Sequence, residues 1–179
     1  MNVRRTAYGV LRSTVDARRT TVFGYNTAMT FNPKKILVPI DLSELSRKAL
    51  ACAADLGARY GSRIVILTVI EDRFPYPDLF SFESPTEDYY KVMRERAHVE
   101  LKKLAQQFPH MKDSIDLYIT RGYPATKIVE VANQEKADLI VMGTHGTSGI
   151  AHALLGSVTD KVIRKAPCPV LLVRHTVHE

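Results

Sequence analysis

From Lys34 onward the chain alternates short, nearly continuous apolar runs with longer stretches whose apolar residues recur at helical spacing, and this alternation restricts the fold more than any other feature. The runs are residues 35–40 (KILVPI), Arg63–Ile70 (RIVILTVI), Ile115–Arg121 with Ile115, Leu117 and Ile119 alternating, residues 139–142, and a last run from Val170 to Arg174. Between them, helices are expected over 43–60, 86–108, 124–135 and 156–165. The first carries Leu42, Leu45, Ala49, Cys52, Ala53 and Leu56 on its apolar stripe, with Asp41 and Glu44 resembling a capping box and Gly61 placed to end it. The second carries Met93, Ala97, Leu101, Leu104 and Phe108, and Pro124 suits the first turn of the third. Strands that alternate with helices connect through right-handed crossovers and stack into one doubly wound, five-stranded, mainly parallel sheet flanked by helices. A run such as RIVILTVI, apolar at successive positions, is what a strand buried on both faces requires. In such sheets ligands bind beyond the carboxyl ends of the strands where strand order reverses. That rule directs attention to Asp41, to Val69 and Ile70, and to Gly143 onward.

Composition narrows the function classes. At 179 residues, 45% hydrophobic and 25% charged, the chain fits one globular domain with a sizeable core. No stretch approaches the roughly 20 apolar residues of a membrane helix, so no membrane partner is expected. Cys52 and Cys168 stand far apart without a CxxC pattern, which points to reduced thiols and a cytoplasmic setting. The net charge of +6 is concentrated in the first thirty residues, where Arg4, Arg5, Arg12, Arg18 and Arg19 face only Asp16. The rest of the chain is close to neutral, so a nucleic-acid groove is not expected. Residues 1–32 read as a basic tail, disordered or loosely attached, and residues 33–176 as the α/β domain. A transit peptide has a similar composition and stays open as a reading of the tail.

The fourth strand is followed by Gly143-Thr-His-Gly146-Thr-Ser-Gly149-Ile-Ala-His-Ala-Leu-Leu-Gly156-Ser157-Val158. Glycines let a ligand approach the main chain with no Cβ in the way, and successive amides can form an anion nest. The helix starting near Gly156 adds unpaired N–H groups and the positive end of its dipole. By itself the pattern is equally that of a glycine-rich turn capping a helix with no ligand. It is neither a Walker A loop, since no GK[ST] follows, nor a GxGxxG dinucleotide fingerprint.

The longer spacing Gly143-x2-Gly146-x9-Gly156-Ser157 resembles the nucleotide-binding signature of the universal stress protein family. The resemblance spans about residues 33–174 and includes KKILVPID at the start, Arg121-Gly122-Tyr123-Pro124, ADLIVMG at 137–143, and APCPVLLV at 166–173. It implies an adenine-nucleotide α-hydrolase-like, Rossmann-like fold and an adenine nucleotide, ATP with or without magnesium, as ligand. By the same resemblance, Pro39 and Asp41 face the adenosine, Val69 touches adenine, and Met142 and Gly143 lie beside the ribose. Gly146, Gly156, Ser157 and Val158 would hold phosphates, and His145 sits in the loop where the family often places His or Arg. Family members typically pair through the last strand, implying a homodimer through Val170–Arg174. The chain departs from the family pattern in its extra tail and in Thr68, where many members carry histidine.

Each residue also has a plain structural role: Asp41 as a helix cap, Val69 as core, Ser157 as a cap. His145 and His152 are seven residues apart, poorly matched to paired helical metal ligands, so no metal site is expected. The glycine loop has no Lys or Arg for phosphoryl transfer and no GxSxG for acyl transfer, so efficient catalysis is not expected. The reading is an ATP-binding stress or regulatory protein. The alternative is a dimeric stress-response scaffold with protein partners and no resident nucleotide. The segment 71–90, rich in Pro and aromatics, reads as a lid or partner surface, or else as a loop packing its own rings on the body.

Overall fold

The computed structural model describes residues 31–71, 86–146 and 155–174. The chain divides into two units, Met1–Phe31 and Asn32–Glu179, and the α/β body is the second. The readings of the basic tail, of residues 72–85 and of residues 147–154 lie outside the described residues.

Five strands form one sheet: β1 (Lys35–Pro39), β2 (Arg63–Ile70), β3 (Ile115–Arg121), β4 (Leu139–Gly143) and β5 (Val170–Val173). They lie in the order β3-β2-β1-β4-β5, and every pairing is parallel. The crossover helices are α1 (Glu44–Tyr60), α2 (Glu87–Ala105), α3 (Pro124–Gln134) and α4 (Ser157–Lys165). Because side chains alternate along each strand, β1 sends Ile36 and Val38 to one face and Leu37 to the other. The first face packs with Ile64, Ile66 and Val141 against Ala49, Leu50 and Ala53 of α1 and Leu101 and Leu104 of α2. The second packs Leu37, Val65, Leu67 and Ile140 against Ile128, Val131 and Ala132 of α3 and Val162 of α4. Continuous apolar strands are thus explained by helices on both sides.

At the amino end of the sheet, one Asp138 carboxylate oxygen accepts from Lys34 N–H at 2.7 Å and Lys35 N–H at 2.9 Å, fixing where β1 enters beside β4. At the other end, Gly122 at φ +137° lets the chain leave β3 sharply, with its N–H donating to Ile70 O at 3.0 Å. Pro124 follows in the first turn of α3, where a missing N–H costs nothing.

Two expectations need correction. The cap of α1 is Ser43, whose hydroxyl accepts from Ser46 N–H at 3.2 Å, and not Asp41. Asp41 Oδ1 instead accepts from Ser43 N–H at 3.0 Å, closing a turn in which Leu42 takes φ +66°. That conformation is unusual for a branched residue and takes Leu42 off the helix stripe to 38% exposure. Glu44 pairs with Lys48 at 2.7 Å. The second helix ends at Ala105, short of Phe108, and a 3₁₀ turn, Pro109–Ser114, follows. Proline at 109 cannot continue the α-helical ladder, and Met111 of the turn is buried against the first core face. Of the expected stripe, Leu101 and Leu104 are buried, while Met93 and Ala97 are only half-buried.

Candidate functional site

β1 and β4 are neighbours in the sheet but their following connections leave in opposite directions, so a crevice opens beyond their carboxyl ends. There the structure brings together all ten residues singled out in the sequence: Pro39, Asp41, Val69, Met142, Gly143, His145, Gly146, Gly156, Ser157 and Val158 line one cavity of about 380 Å³. The sequence reading did not single out Ser46, Glu71, Pro124, Ile128 and Thr159, which also line it. Pro124 and Ile128 reach the cavity because α3 crosses beside it, and one strand's sequence carries no signal of that. Thr159 stands two positions beyond Ser157 in the first turn of α4, a place that could have been read from the helix start.

The cavity has two chemically distinct parts. One is apolar, made by Pro39, Ile40, Leu67, Val69, Ile128 and Met142. Along β2, Leu67 O accepts from Ile40 N–H at 2.7 Å, and Gly122 N–H donates to Ile70 O on the β3 side. Both backbone groups of a residue in a parallel strand point to the same neighbour, and direction alternates along the chain. Val69, two residues past Leu67, therefore turns its N–H and C=O toward the β1 side, where β1 has already ended at Pro39. A donor and an acceptor sit side by side at the rim of the apolar part.

The other part is a main-chain cradle. A Cβ built on Gly143 would sit 3.0 Å from Leu45 Cβ and 3.2 Å from His145 O, so glycine lets α1 pack close over the end of β4. A Cβ on Gly146 would lie 2.5 Å from Asp41 Oδ2, and one on Gly156 would lie 3.2 Å from Thr144 O. The turn and α4 are tied together: Gly156 N–H donates to Thr144 O at 2.8 Å, and the buried Thr159 hydroxyl donates to Gly143 O at 3.1 Å. His145 Nδ1 is 3.1 Å from Thr144 Oγ1, which orients the ring at the cavity wall.

Helix starts differ in how they satisfy their first amides. Ser43 and Thr86 cap α1 and α2 with side-chain oxygens, whereas α4 starts at Gly156 with no side-chain cap. α3 likewise starts at Tyr123 without a side-chain cap, but it is Gly156, Ser157, Val158 and Thr159 at the start of α4 that line the cavity, so the first N–H groups of α4 and the positive end of its dipole lie at that wall. Asp160 of that first turn is bound to Arg164 at 3.0 Å, and this hydrogen bond holds its carboxyl below the usual carboxylate range. The glycine cradle fits an anion, and the slot beside it fits a flat apolar ring with a hydrogen-bonding edge.

Among the described residues lining the cavity there is no Lys or Arg, and the carboxylates are Asp41 and Glu71. No cluster of three or more His, Cys, Asp or Glu that could hold a metal occurs among the described residues. Cys52 and Cys168 are free thiols, and burial, with Asp55 and Asp138 respectively, pushes both above the ordinary thiol range. No helix among the described residues is long and apolar enough to cross a membrane.

Comparison with known proteins agrees with this arrangement. The model of the universal stress protein family matches residues 32–174. Universal stress protein MJ0531 of Methanocaldococcus jannaschii is 36% identical over 141 residues, covering 79% of this chain and 82% of that protein. The solved structure of MJ0577, from the same organism, superposes with a TM-score of 0.67 at 30% identity, covering 80% of this chain and 97% of that one. A universal stress protein solved in complex with cAMP superposes with a TM-score of 0.62 at 28% identity, covering 81% and 99%. With a sheet, a switch-point crevice and a family match over the same residues, this chain belongs to the universal stress protein family.

Proposed function

We propose that this protein binds an adenine nucleotide, ATP foremost, in the crevice between β1 and β4, and serves a regulatory role in stress survival rather than efficient catalysis. The observation that carries the reading is the junction of an apolar slot with a cradle that a Cβ would fill, built from Gly146, Gly156 and the uncapped start of α4. In this reading the base lies against Pro39, Val69 and Met142, its edge read by the Val69 main chain, and Asp41 faces the adenosine. Gly143 flanks the ribose, and the amides near Gly146, Gly156, Ser157 and Val158 hold the phosphates beside His145. Magnesium bound with ATP supplies charge compensation to a lining that brings no cation of its own among the described residues. The cAMP complex of a relative at 28% identity supports the adenylate class.

The test is nucleotide release from denatured, freshly purified protein, resolved by chromatography. Co-purified ATP, or saturable uptake of added ATP, is expected. A properly folded sample that carries no nucleotide and takes up none contradicts the reading.

We also propose a homodimer through the last strand, in a cytoplasmic setting. Among the described residues β5 is an edge of the sheet, with Leu171 38% exposed on it, and an edge strand is a template for pairing with a second copy. Light scattering at micromolar concentration is expected to give twice the 20.1 kDa chain mass. A monomer in that measurement contradicts the dimer and leaves the nucleotide site untouched.

A further inference from the structure

We infer that Leu42 is a ligand-contacting residue, held in a strained backbone conformation so that its apolar side chain covers the nucleoside of the bound nucleotide. The inference rests on the nucleotide reading above and extends it to a residue that reading does not use.

Two residues other than glycine take positive φ among the described residues, Lys136 at +51° and Leu42 at +66°. Lys136 follows α3, where a left-handed residue closes a helix end: its N–H donates to Asn133 O at 3.1 Å, and Ala137 N–H donates to Ala132 O at 2.9 Å. Leu42 precedes a helix, where no such closure is called for. The cap of α1 is Ser43, itself extended at φ −64° and ψ 161°. A left-handed leucine brings its Cβ too close to the following carbonyl, and glycine or asparagine would suit the position better. The conformation is nonetheless fixed from both sides. Asp41 Oδ1 accepts from Ser43 N–H at 3.0 Å, and Leu42 O accepts from Arg47 Nε at 3.2 Å. Strained residues held by their surroundings in this way cluster at functional sites.

Packing does not account for a leucine here. Leu42 belongs to neither core face and is 38% exposed. Of the large apolar side chains exposed among the described residues, it alone lines the cavity beyond β1 and β4. Pro39, Ile40 and Asp41 line the same cavity, so Leu42 carries that wall one residue past the carboxylate. A ligand seated there removes the leucine side chain from water, which favours the bound state. Phosphates gain nothing from an apolar neighbour, so the part of the ligand it covers is the nucleoside.

The test is calorimetry of the full chain with ATP, and with AMP as its competitor, beside urea denaturation. The two ligands share the nucleoside and differ in phosphates. Leu42→Asn tolerates positive φ and removes the apolar surface. It is expected to weaken both ligands at least fivefold and by the same factor, with a urea midpoint at or above the parent's. Leu42→Gly carries the same expectation. Leu42→Met, apolar and equally strained, is expected to bind both ligands within about twofold of the parent.

An asparagine variant with the parent's affinities overturns the inference, and so does a methionine variant no better than asparagine. A loss confined to ATP marks a disturbed phosphate cradle, and a midpoint lowered in both the asparagine and glycine variants marks a packing role; either result overturns it. Each of these outcomes leaves the nucleotide site standing. A parent that binds neither ligand overturns the nucleotide reading itself.

Discussion

Replacing Gly146 by valine is expected to cut ATP affinity at least tenfold, about 1.4 kcal/mol, while leaving the fold intact. A Cβ at this position would lie 2.5 Å from Asp41 Oδ2, so the new side chain must push the carboxylate out of its place or move the turn itself. Either response alters the wall where the cradle meets the adenosine side of the cavity. Gly146 is exposed, outside both core faces, so the damage is local to binding. Gly156→Val should act in the same direction, since its Cβ would crowd the Thr144 carbonyl at 3.2 Å and the His145 Cα at 3.4 Å. Calorimetric titration beside circular dichroism checks both. A folded Gly146→Val protein with the parent's affinity would show that the phosphates do not lie here.

Leu37→Ala is expected to cost about 3 kcal/mol of folding stability, within the roughly 2–5 kcal/mol seen for buried leucines. Leu37 is 0% exposed on the central strand, paired with Val65 on one side and Ile140 on the other. Its side chain packs in the face covered by α3 and α4, among residues held by the sheet register on one side and by two helices on the other. Such a site cannot collapse to fill the void, so the cavity contribution adds to the lost transfer energy. Against a typical total of about 5–15 kcal/mol, the loss is a large fraction of the stability. Urea denaturation should show the midpoint falling with little change in slope. A loss below about 1 kcal/mol would mean that β1 does not sit at the centre of the packed sheet.

Much of this architecture was legible in the sequence because its signals are local. RIVILTVI delimits β2 at Arg63–Ile70, and Gly122 with Pro124 marks the step from β3 to α3. The alternation of elements supplied the parallel sheet, and the glycine spacing picked out residues that the fold then gathers around one cavity. What was not legible depends on three-dimensional placement. Asp41 looked like a cap because acid and Glu44 stood at capping distance, yet Leu42 at positive φ moves the cap to Ser43 and turns Asp41 toward Gly146. The 3₁₀ turn Pro109–Ser114 was hidden behind a helical stripe that ran as far as Phe108. Pro124 and Ile128 join the cavity only because α3 crosses beside it, which no spacing along the chain reports.

The central claim is that main-chain amides at the end of β4 and the start of α4 hold the phosphates of an adenylate. Isothermal titration of the folded chain with ATP and magnesium tests it most directly. The account predicts saturable heat at one nucleotide per chain, competed by other adenylates and lost in Gly146→Val. A protein that circular dichroism shows to be folded, yet gives no heat with millimolar ATP and magnesium, would contradict it.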